Sequence, residues 1–249
     1  MQQHWPDHLW IVRHGESAGN VAREAALAAR LARIEMSIRD VDVPLSPLGE
    51  RQADALGRWF AELPAKQQPE IVLVSPYLRA RETASRIRAQ GGTPVTPGGF
   101  GVDERLREKE FGVLDLLTRR GIEATFPEQA RFRTILGKFY HRPPGGESWC
   151  DVILRLRSLV DTMHLHYAGR RVLIVAHQVV VLCMRYLLEG MDEAGILAVD
   201  RESNVANCGV TEYAPDQAGG LRLLRYNFTV PLEREGAPVT AAPDHPAAT

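Results

Sequence analysis

Apolar residues fall along this chain in two alternating patterns. Short continuous runs, Leu9–Val12, Ile71–Val74 and Val172–Ala176, have the length and β-branched content of strands buried on both faces. Between them lie longer segments whose apolar positions recur every three or four residues. Trp149, Val152, Ile153, Leu156, Val160 and Met163 step this way and predict an amphipathic helix. Ser46-Pro47 reads as an N-cap followed by proline at the first helical position, ahead of Leu48, Leu56, Trp59 and Phe60.

The same spacing predicts helices over Val21–Ile38, Leu78–Arg88 and Val179–Leu188, and helical pieces over Thr118–Leu136 broken at Pro127. Gly91–Gly101 reads as loop with a short strand near Val95, and late strands are expected at Val210–Tyr213 and Leu221–Phe228. Strands alternating with helices predict a three-layer α/β/α sandwich with a mostly parallel central sheet. One domain over residues 1–232 is expected, with a largely helical segment at about 113–146. The Ala-, Pro- and polar-rich stretch 233–249 is expected to be a disordered tail.

Composition narrows the partners. Thirty basic and 31 acidic side chains leave the chain near neutrality, which gives no electrostatic reason to bind nucleic acid or a membrane surface. MQQHWPDHLW has no basic leader and no stretch reaches membrane-spanning length, so a soluble cytoplasmic protein is the default expectation. Cys150, Cys183 and Cys208 are odd in number and lack CxxC spacing, which speaks against a disulfide framework or zinc site. Lysine occurs only at 66, 109 and 138, so nearly every cation is an arginine, whose planar fork fits phosphate oxygens.

The candidate chemistry sits where the apolar runs end. WIVRHGES ends in Arg13 and His14. IVLVSPYLRA ends in Ser75, with Arg79 in the next helical turn, and VLIVAHQ ends in His177. Open α/β sheets bind ligands beyond the carboxyl ends of their strands. If these three strands are neighbours, two histidines and two arginines converge on one edge. Arginines can hold phosphate oxygens, and a neutral imidazole can attack phosphorus. A leaving alkoxide still needs a proton, and LREKEFG offers Glu108 and Glu110.

RHGES with Asn20, DVPLSPLGERQA, SPYLRARETA, LREKEFG and VAHQ follow one another in the order seen in the histidine phosphatase (phosphoglycerate mutase-like) superfamily, which the chain resembles from about Leu9 to Tyr226. The resemblance implies a metal-independent phosphatase of small phosphomonoester metabolites, with no cofactor. It makes His14 the nucleophile, Arg13, Arg79 and His177 the phosphoryl clamp, and Glu108 the proton donor, with Glu110 as its rival. Asn20, Ser17 and the backbone near Gln178 would frame the pocket. The basic, partly aromatic segment at about 113–146, with Arg133 and Tyr140, would be a helical cap insert that binds the rest of the substrate and would suit a second anionic group.

Two segments depart from the family pattern. Residues 21–40 form a longer, more helical stretch, which would line the pocket or make a subunit contact in a homodimer. LDLLT follows FGV where many members carry Trp-Glu-Gly. AHQVVV is also similar to the motif of fructose-2,6-bisphosphatase domains, which place an arginine where Leu182 stands here. The alternatives are a phosphoglycerate mutase-type transferase and a non-catalytic phosphate-ligand-binding module.

Overall fold

The computed structural model describes residues 5–94 and 100–242. In chain order the strands are β1 (His8–Arg13), β2 (Ile71–Val74), β3 (Gly101–Val102), β4 (Arg171–Ala176), β5 (Val210–Pro215) and β6 (Leu221–Phe228). The helices are α1 (Ala18–Ala28), α2 (Pro47–Glu62), α3 (Leu78–Ala89), α4 (Arg119–Thr125), α5 (Pro127–Tyr140), α6 (Trp149–His166), α7 (Gln178–Leu188), α8 (Glu193–Glu202) and α9 (Val230–Arg234). The sheet runs β3-β2-β4-β1-β5-β6. β3, β2, β4 and β1 are parallel, and β5 and β6 pair antiparallel.

Side-chain alternation in the strands builds two cores. Leu9 and Ile11 of β1 join Val172, Ile174 and the apolar stripes of α6 and α7 on one face. Trp10 and Val12 join Leu173 and Val175 on the other, under α2 and α3. Both faces are covered, which explains why β1, β2 and β4 read as unbroken apolar runs. The α6 stripe is anchored by Trp149, Leu156 and Met163, all fully buried. Each such side chain is worth about 1.5–3 kcal/mol of burial. The expected caps are present: the Ser46 hydroxyl accepts from Gly49 N at 3.0 Å, and Ser148 forms a capping box with Asp151.

Three expectations need correction or limits. The helix expected over 21–38 runs only from Ala18 to Ala28. Arg30 takes a left-handed conformation (φ 52°), and the chain then pairs with a distant loop: Ile34 N donates to Leu116 O and Thr118 N to Ala32 O. The tail expected from Glu233 is packed as far as residue 242. Ala237 and Ala242 are buried, and Gln52 Nε2 donates to Pro238 O and to the Thr240 hydroxyl. Backbone hydrogen bonds, to which composition is blind, hold this segment. The strand expected near Val95 falls outside the described residues; β3 lies later, at Gly101–Val102.

Candidate active site

Parallel pairing sets the site. β4 lies between β1 and β2, with Arg13 opposite Ala176 and Val74 opposite Val175. The chains leaving these three strands therefore meet at the carboxyl edge. His14 N still donates to Ala176 O at 2.9 Å, and Ser75 N to Val175 O at 3.0 Å. The His14 and His177 rings stand 5.1 Å apart, inclined at 64°.

His14 is held in one tautomer. Its Nδ1 lies 2.6 Å from Gly15 O, an acceptor only, so Nδ1 carries the proton and donates. Nε2 then keeps its lone pair and accepts from Arg79 Nε at 3.2 Å. Thr83 braces both sides, donating to Arg79 O and accepting from Gly15 N. Asn207 Nδ2 donates to His14 O at 3.1 Å. His177 Nε2 is 2.7 Å from the Ser75 hydroxyl. The Tyr77 ring packs against His177, beneath the Arg79 guanidinium.

Close backbone crossing explains two glycines. The loop after β1 runs against the start of α2. A Cβ on Gly15 would stand 2.5 Å from Gly49 O, and one on Gly49 would stand 1.9 Å from Glu16 O. Gly49→Ala is expected to cost about 3 kcal/mol of stability, read as a lower denaturation midpoint. A variant as stable as the parent would disprove that packing.

Arg13 is fully buried beneath the site, its Nη1 donating to Val205 O at 2.5 Å and its Nη2 to Ala242 O at 2.6 Å. Arg79 projects from the first turn of α3, and its fork is engaged by Asp40. Nη1 donates to Asp40 Oδ1 at 3.0 Å and to Asp40 O at 2.6 Å, and Nη2 donates to Oδ2 at 3.1 Å.

A cleft opens beside this pair. Ser17, Asn20, Arg23, Ile34, Met36, Asp40, Arg79, Glu108, Phe111, Asp115 and Leu116 all line it. Ser17 and Asn20 are locked by a capping box at the start of α1. Glu108 is 1 % exposed and accepts from Lys109 N through Oε1. Its rival Glu110 is absent from this lining and accepts instead from the Tyr77 hydroxyl at 2.8 Å. Gln178, first residue of α7, turns its amide to Asn204, while the amino end of α7 faces the sheet edge.

Arg133 and Tyr140, expected to bind substrate, do not line the cleft. Arg133 is packed near Lys109 and Asp200, and burial lowers its pKa. Tyr140 is exposed beside Glu193. Lys138 pairs with Asp200 at 2.5 Å. The 21–40 segment does line the cleft, through Arg23, Ile34, Met36 and Asp40.

Lys109 lies next to Glu108 in sequence but is 4 % exposed, among Arg133, Glu147 and Asp151. Burial, and then the Arg133 charge, push its pKa down to about 8. The folded chain thus sheds this proton before the unfolded chain does, and the stability penalty of burying the charge fades as pH rises through that window. Wild type is expected to gain about 2 kcal/mol on Lys109→Met between pH 8 and about pH 10.4, measured by urea unfolding. A difference independent of pH would refute the buried charge.

Sequence reasoning missed Asp40, Asn207 and Asp115. Asn207 had a readable signal, since it precedes an antiparallel strand that starts at the same sheet edge. Asp40 and Asp115 reach the cleft only through the pairing of residues 32–34 with 116–118.

A mostly parallel α/β sheet thus brings a histidine pair, a buried arginine and a cleft-lining arginine to its carboxyl edge, a set chemically suited to an anionic ligand. A sequence profile of the histidine phosphatase superfamily (branch 1) matches residues 9–229, and the chain belongs to that family. Among relatives, a Yersinia enterocolitica protein named "Probable phosphoglycerate mutase GpmB" is 29 % identical over 205 residues, covering 82 % of each chain. A mycobacterial glucosyl-3-phosphoglycerate phosphatase structure superposes with a TM-score of 0.67 at 26 % identity, over 89 % of this chain and 98 % of that one. The alpha-ribazole phosphatase of Shigella flexneri shares the fold, with a TM-score of 0.70 at 20 % identity, over 89 % and 96 % of the two chains. No helix among the described residues is long and apolar enough to cross a membrane.

Proposed function

We propose that this protein is a phosphatase that hydrolyses small phosphomonoesters through a phosphohistidine at His14, without metal or organic cofactor. The observation that carries this reading is the orientation of His14. Gly15 O fixes the proton on Nδ1, so the Nε2 lone pair faces Arg79, a residue that lines the same cleft as Glu108.

In the first step Nε2 attacks phosphorus and the bond to the ester oxygen breaks. The departing oxygen takes its electron pair and a proton from the Glu108 carboxyl. In the second step water attacks phosphohistidine and gives its proton to the Glu108 carboxylate. The P–N bond breaks and its electron pair returns to Nε2. Arg79 and His177 hold the phosphoryl oxygens, and Arg13 contributes its charge from below. Ser17, Asn20 and the first amides of α7 frame the pocket.

The relative named as a phosphoglycerate mutase favours a second reading, return of the phosphoryl group to the substrate. Phosphate release from a panel of phosphorylated metabolites, with chelator present and 3-phosphoglycerate checked for isomerisation, separates the two. Selective release that survives chelation is expected. Isomerised product without net release would replace hydrolase by mutase. Phosphate binding without turnover would make the chain a binding module.

A further inference from the structure

The mouth of the cleft has a charge pattern that a substrate bearing a second anion would not choose. Its outer wall comes from two segments zipped together by backbone hydrogen bonds, residues 30–42 and 111–118. They line it with the apolar Ile34, Met36 and Leu116 and the carboxylates Asp40 and Asp115; Arg23 from α1 joins the lining beside Arg79. Arg133 of the cap is not among the residues of this lining.

Asp40 has a second property. Its side chain is 41 % exposed, yet it makes the two-pronged contact with Arg79 that a phosphoryl group would make. A planar carboxylate on a guanidinium fork is the nearest protein analogue of a bound phosphate. Arg79, by contrast, is almost wholly buried and fixed by the stack on Tyr77 and the bond to His14. When phosphate arrives, the exposed partner is the one that moves. The displaced carboxylate then has no countercharge from Arg79 and stands beside Asp115 at the entrance. Asp115 already senses it: burial, then the Asp40 charge, raise its pKa, and only Arg23 and the Leu116 amide oppose them among the larger influences.

We propose that Asp40 sets the leaving-group specificity of this cleft. It occupies the Arg79 fork until a phosphoryl group replaces it. With Asp115 it then favours an alcohol bearing hydroxyl or ammonium groups over one carrying a second anion. This rests on the phosphatase reading above and makes the substrate class a phosphomonoester of a neutral or cationic alcohol, with the apolar wall meeting its carbon skeleton. Carboxylates accept hydrogen bonds from hydroxyl and ammonium donors, and they repel a carboxylate or second phosphate at the same position.

The test compares glycerol 3-phosphate and phosphoethanolamine with 3-phosphoglycerate, which differs from the first by a carboxylate in place of a hydroxymethyl group. Wild type is expected to favour the first two by about tenfold or more in kcat/KM. Asp40→Asn should shrink that preference severalfold, chiefly through a lower KM for 3-phosphoglycerate, and should bind inorganic phosphate more tightly in calorimetry. Asp115→Asn should shrink the preference without tightening phosphate, which separates the two parts of the proposal and guards against a misfolded Asp40 variant. A wild-type preference for 3-phosphoglycerate, or an Asp40→Asn variant with unchanged preference and unchanged phosphate affinity, would overturn it. If no compound is turned over, the phosphatase reading fails. Displacement of bound phosphate by the same three compounds then decides the specificity claim by itself.

Discussion

His14→Ala is expected to lower kcat by about 10⁴-fold or more on every phosphomonoester the wild type hydrolyses. The size follows from the absence of a substitute within the site. His177 is the other imidazole at hand, but its Nε2 is engaged with the Ser75 hydroxyl and its ring is 5.1 Å from His14. Without a nucleophile on the protein, hydrolysis must proceed by direct attack of water on the ester. The readout should include the covalent intermediate. Rapid acid-free quench of wild type with labelled substrate should leave label on the protein, lost in acid and absent from His14→Ala. Label retained by the variant, or full activity, would remove His14 from the nucleophile's role. The fold should survive the substitution, because the His14 main-chain bonds to Ala176 and Asn207 do not involve the ring, at a cost of about 1–3 kcal/mol for the buried ring's lost bonds to Gly15 and Arg79.

Glu108→Gln is expected to reduce kcat by about 10²–10⁴-fold on alkyl phosphates, the range for a lost general acid. The same change should cost far less on para-nitrophenyl phosphate, whose phenolate departs without needing a proton. Glu110→Gln should change either rate by no more than about threefold, since its bond to Tyr77 lies off the cleft. Equal losses on both substrates in Glu108→Gln would mean that the carboxyl shapes the pocket rather than delivering a proton.

What the sequence discloses here divides along a physical line. Features set by local chemistry were readable. The Ile71–Val74 run is a strand buried at its carboxyl end, and Ser46-Pro47 starts α2. Arg13, His14, Ser75 and His177 meet because they terminate adjacent parallel strands, an arrangement that apolar runs followed by polar residues announce. Features set by distant backbone pairing were not. The Ala-, Leu- and Arg-rich stretch after Ala28 has good helix propensity, but bonds from Ile34 to Leu116 and from Thr118 to Ala32 hold it extended. Sequence shows the charges of the cap and not their partners. Lys138 is paired with Asp200, and Arg119 with Glu123. α8 has a readable start, Asp192 accepting from Gly195 N, but its apolar residues Ile196–Val199 form one short run rather than a three- and four-residue spacing.

The packed stretch at 238–242 has a consequence for how the molecule is made. Arg13 leaves the ribosome 229 residues before the Ala242 carbonyl that holds its guanidinium. Gln52 and Asn207 likewise wait for Pro238 and Thr240. At about 5–20 residues per second, roughly 10–50 seconds of synthesis separate Arg13 from its support. A nascent chain can therefore carry a nearly finished sheet and still lack the floor of the candidate site. Products that stop short of residue 238 would be folded in outline yet lack these supports of Arg13, Gln52 and Asn207, so completion of the site is tied to translation of residues 238–242.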